Sequence, residues 1–96
     1  MMITARTVSG ITAKKPSEEK LSSLNVKSWP IWEKEVSEFD WHYDSEEECY
    51  LLEGEVTVKT AEGEVSFGAG DFVCFPKGLD CHWSVTKAVK KHYRFK

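Results

Sequence analysis

The chain has 96 residues, 41% of them hydrophobic and 12% aromatic, with a formal net charge of −3. That length makes one domain with a modest core, the composition excludes a disordered chain, and the mild acidity argues against a general nucleic-acid binder, which would be strongly basic. No run of about 18 apolar residues occurs, so no membrane association through a spanning helix is expected.

Residues 1–16 carry no acid and several Ser, Thr, Lys and Arg, and read as an N-terminal arm or strand. Pro16-Ser17-Glu18-Glu19 then supplies a helix start: a proline, a hydroxyl cap, and acids facing the positive end of the helix. Leu21 and Leu24 anchor that short turn and Asn25 ends it. An arm with a short helix over 1–24 therefore precedes a β domain over 25–96.

From Val26 onward strands and turns alternate. Trp29-Pro30-Ile31-Trp32 reads as extended, and its proline puts it at a sheet edge or a bend. Between Val36 and Tyr43 the beat is two: Phe39, Trp41 and Tyr43 share one face, and Glu38, Asp40 and His42 the other. Cys49–Leu52 is an apolar run. Glu53-Gly54 after it predicts a tight hairpin, with Glu55–Val58 returning. Further turns are expected at Glu62-Gly63, at Gly68-Ala69-Gly70-Asp71 and at Pro76-Lys77-Gly78. Cys81, Trp83 and Val85 alternate with His82 and Ser84, and Val89, Tyr93 and Phe95 close the chain. Short strands at regular spacing predict an all-β antiparallel barrel or sandwich.

Residues 38–55 hold eight acids and no Lys or Arg, and residues 87–96 hold five basic residues and no acid. Both runs read as solvated faces. The odd cysteine count (Cys49, Cys74, Cys81) without a CxxC spacing argues against a disulfide framework or structural zinc, and fits a reducing, cytoplasmic setting. His82 and His92 read as surface residues.

Two stretches resemble the paired motifs of the cupin superfamily. Glu47, six further residues and Gly54, with Cys49-Tyr50-Leu51-Leu52-Glu53-Gly54-Glu55-Val56 between and beyond, match the end of the first motif. Gly70, Pro76 and Gly78 match the second, whose histidine position falls on Cys81. Together with Trp29–Trp32 and Cys81-His82-Trp83, they resemble the small single-domain proteins related to the (S)-ureidoglycine aminohydrolase cupin domain. The resemblance implies a single RmlC-like jelly-roll barrel, often dimeric, with a pocket in its mouth and in many members a divalent metal ion.

Two registers of the first motif stay open. One puts its ligand positions on Asp40, His42 and Glu47, the other on Trp41, Tyr43 and Glu47. Strand alternation favours the second, which leaves aromatic rings where a metal would need donors. On the first register Glu47, Cys81 and His42 are the metal ligands. Glu47 and Tyr43 are the candidate catalytic groups, and Trp41, Tyr43 and Trp83 the pocket lining. Two functions follow. One is a hydrolase acting on a small polar metabolite, with the metal as Lewis acid. The other is a non-catalytic module that binds a small ligand or a protein and has lost most of its metal ligands. A homodimer is expected because the Trp29–Trp32 edge is apolar.

Overall fold

The computed structural model describes residues 6–96. Its strands in chain order are β1 (Arg6–Val8), β2 (Ile11–Lys14), β3 (Ile31–Lys34), β4 (Ser37–His42), β5 (Glu47–Thr60), β6 (Gly63–Gly68), β7 (Phe72–Phe75) and β8 (Asp80–Phe95), and every pairing is antiparallel. Two long strands, β5 and β8, pair with each other from Glu47↔Phe95 to Lys59↔His82 and run through both layers of a jelly roll. In one layer β1, β2 and β7 flank the start of β5, while β3 flanks the end of β8. In the other, β6 flanks the end of β5 and β4 the start of β8.

The expected hairpin at Glu53-Gly54 is not there. β5 continues through Gly54 as one strand, and its register with β8 shifts between Leu51 and Val56. Gly54 has φ +105°, and a Cβ on it would stand 2.6 Å from the Ala88 carbonyl oxygen and 2.7 Å from Val89 Cα. Glycine is thus used here for a bulge and a close backbone approach rather than a reversal. The bulge bends β5 from one layer into the other. The reversals at Glu62-Gly63, Gly68–Asp71 and Pro76–Gly78 fall between strands as their turn residues dictate.

Residues 6–14 form the β1–β2 hairpin and complete the first layer through β2 and β7. Ile11 and Ala13 are buried in the main core. The helix α1 (Glu18–Leu24) begins at Ser17, whose side chain accepts a hydrogen bond from the Lys20 amide at 3.1 Å. It ends where Asn25 turns left-handed at φ 55°.

Leu21 and Leu24 pack with Val26, Trp29 and Phe72 into a second small cluster on the outside of the first layer. His92, read as a surface residue, is buried beside this segment, and its Nδ1 donates to the Trp29 carbonyl at 2.9 Å. Trp29 is buried and Trp32 half-buried within the chain, while Ile31 and Glu33 of β3 are exposed.

The two charged runs are register partners. Glu48 faces Arg94 across the β5–β8 ladder, and the Arg94 guanidinium lies 2.7 Å from its carboxylate. Lys96 reaches Glu46 and Glu48. Segregation that reads as two solvated faces is cross-strand complementarity.

Candidate functional site

The strand beat delivers an aromatic hollow between the layers. Phe39, Trp41 and Tyr43 from β4 and the residue after it, and Trp83 from β8, point inward as the alternation expects. They line a cavity of about 210 Å³ with Trp32, Tyr93 and Phe95. The Phe39 and Trp83 rings stack at 5.9 Å, and Tyr43 stacks on Phe75 at 4.8 Å. Trp41, 48% exposed, and Phe95 form the rim.

Glu47 lies at the floor, 3% exposed, and it is not alone. The Lys91 side chain, on the same inward beat of β8, donates from Nζ to Glu47 Oε2 at 2.9 Å. The ammonium stands 4.9 Å from the Trp32 ring centre and 4.8 Å from that of Trp83. Sequence reading missed Lys91 because it assigned the whole basic run to solvent. The parity that sends Cys81, Trp83 and Val85 inward continues through Val89, Lys91 and Tyr93, and that was the available signal.

The Tyr43 phenol lies near Glu47 in the cavity wall. Burial pushes its pKa far up, and the neighbouring Glu47 carboxylate adds to the shift. Tyr43 therefore keeps its phenolic proton. Burial likewise pushes the Cys81 thiol up to about 11 and the Cys49 thiol up to about 12. The Cys81 Sγ donates to the Trp41 carbonyl at 3.7 Å. The Trp83 indole N–H lies beside that sulfur in poor alignment and makes no full hydrogen bond.

The proposed ligand set of Glu47, Cys81 and His42 is not assembled. His42 projects from the other face of β4, where Nδ1 lies 2.6 Å from Asp80 Oδ1. His82, also outward, bridges Asp40 at 2.8 Å and Glu38 at 3.0 Å. Among the described residues, no group of three or more His, Cys, Asp or Glu side chains could hold a metal ion. At the motif positions stand Trp41 and Tyr43, which offer an indole and a phenol where a metal would need strong donors, and the single thiol of Cys81. A cation, the Lys91 ammonium, already neutralises Glu47. These donors do not fit a divalent ion.

A family model described as EutQ-like cupin domain matches residues 21–93. The chain is similar to a DUF861 family protein of Thermotoga maritima, with 53% identity, 90% of this chain and 99% of that one covered, and a TM-score of 0.88. It shares its fold with the Clostridium difficile EutQ protein, at 18% identity, TM-score 0.63, and 97% and 64% of the two chains covered. The same holds for a DUF861 family protein of unknown function from Pseudomonas syringae, at 19% identity, TM-score 0.62, and 100% and 45% covered. No curated protein matches the chain. Among the described residues no helix is long and apolar enough to cross a membrane.

Proposed function

The chain belongs to the EutQ-like cupin family, and on that premise we propose that it binds a small ring-bearing molecule in the mouth of its barrel without a metal ion. The observation that carries the reading is the buried Lys91–Glu47 pair at the floor of an aromatic cavity. Taking the two charges out of water costs several kcal/mol each, and an apolar pair of similar size would serve stability as well or better. Two cation–π contacts, of about 0.5–2 kcal/mol apiece, offset only part of that cost. A polar pair kept in such surroundings supports recognition rather than packing. Size supports it too: a cavity of about 150 Å³ holds benzene, and this one is about 210 Å³.

The metal-dependent hydrolase implied by the ureidoglycine aminohydrolase resemblance needs donors that Trp41, Tyr43 and the Lys91-bound Glu47 do not offer. Protein-detected two-dimensional NMR with a library of single-ring fragments tests the proposal. Hits should perturb the indole N–H signals of Trp32 and Trp83. No perturbation by any fragment at millimolar concentration overturns the binding reading. One equivalent of manganese or zinc retained after desalting, and lost in Glu47→Gln, would restore the hydrolase.

A further inference from the structure

Resting on that reading, we infer the charge class of the ligand: an uncharged ring carrying an amide-like donor that meets Glu47. The floor of the cavity presents one carboxylate and one ammonium, 2.9 Å apart, so its formal charge is zero. Neither charge can move away, because Lys91 and Glu47 are 4% and 3% exposed and walled by rings. An anionic head would meet the Glu47 carboxylate at short range, and a cationic head the Lys91 ammonium. Each would also leave its hydration behind among aromatic walls. A neutral head suffers neither penalty.

The hydrogen-bond inventory points the same way. A carboxylate has about four acceptor sites. Lys91 fills one on Oε2, and no other side chain is hydrogen-bonded to Glu47 among the described residues. Glu47 therefore retains capacity to accept from a ligand N–H. The Lys91 ammonium faces Glu47 and two indole rings, and so has little left to give an incoming anion. The remaining lining is aromatic, which suits the flat body of the ligand.

Three probes sharing one ring separate the possibilities: benzamide, benzoate and benzylamine, which are neutral, anionic and cationic near pH 7.5. Each is titrated into the intact protein by two-dimensional NMR at moderate salt. Benzamide should bind at least about tenfold more tightly than either charged analogue, a difference easily resolved at millimolar affinity. In the double variant Glu47→Gln with Lys91→Met the preference should collapse while ring binding persists. Should that variant fail to fold, Trp41→Ala at the rim should weaken all three probes by a common factor. Benzoate or benzylamine binding as tightly as benzamide overturns the charge-class inference and leaves the pocket reading standing. Failure of all three to bind the folded wild-type protein overturns both.

Discussion

Lys91 meets Glu47 diagonally along the β5–β8 ladder: the register partner of Lys91 is Leu51 and that of Glu47 is Phe95, yet Nζ lies 2.9 Å from Oε2. The long lysine stem reaches back along the regular part of the ladder, away from the bulge, and carries its charge under the aromatic rings. Cross-strand register alone would have paired Glu47 with a benzyl group.

That relationship predicts a strongly asymmetric response to mutation. Lys91→Met or Glu47→Gln alone strands a buried polar partner and should cost about 3–5 kcal/mol. For a domain this size that is a fall in Tm of roughly 12 °C or more. The double variant should recover most of the loss. Thermal and urea denaturation of the full cycle measures it, and single variants within a few tenths of wild type would mean the pair is as weakly coupled as a surface one.

Gly54→Ala should destabilise by more than the roughly 1–3 kcal/mol usual for a non-glycine residue at positive φ. Its new methyl group would also press on the Ala88 carbonyl and the backbone at Val89. The urea midpoint reports it. A midpoint equal to that of wild type contradicts the bulge.

His82 supplies a pH dependence whose sign is fixed by its neighbours. Hydrogen bonds to Asp40 and then Glu38 raise its pKa above the ordinary imidazole value, and Glu38 is held below the usual carboxylate range, first by His82 and then by Ser84. The histidine contribution is full below its unfolded value and fades as pH rises through the raised folded value. The Glu38 contribution is full above the unfolded carboxylate value and fades as pH falls through the lowered one. Urea midpoints of wild type and His82→Gln should therefore differ most at mildly acidic pH and converge in alkali. The groups are exposed, so the difference is small. A gap that widens with rising pH would contradict the assignment.

The inward thiols should be slow to react. With Cys81 pushed up to about 11 and Cys49 to about 12, each is almost wholly protonated at pH 8. Alkylation of the native protein at these sites should then run about a hundredfold or more below that of an unhindered cysteine. Mass-resolved iodoacetamide labelling of each position is the measurement, and rapid modification of Cys81 would show its surroundings to be misread.

Much of this was legible locally. Ser17 and Asn25 bound the helix because capping is a matter of a few neighbouring atoms. The two-residue beat placed Phe39, Trp41, Tyr43, Trp83 and Glu47 on the inner face. Long-range relationships were harder to read. Glu-Gly with positive φ serves a hairpin or a bulge equally well, and only the approach of β8 near Ala88 decides between them. Lys91 was hidden for a related reason. A lone lysine within a basic run carries no mark of the carboxylate it meets from another strand, although its parity did. His92 faced outward as parity requires, and was covered by the segment leading into Trp29, whose docking site no local pattern specifies.

Because β5 and β8 serve as the middle strands of both layers, neither layer owns a complete set of hydrogen-bonding partners. Neither half of the roll can assemble first and wait for the other. The central ladder joins residues from about a quarter to about half a chain apart, a closure that is slow to make and releases everything when it opens. Amides from both halves should consequently exchange with solvent in a single concerted event, with the outer hairpin and the helix fraying ahead of it.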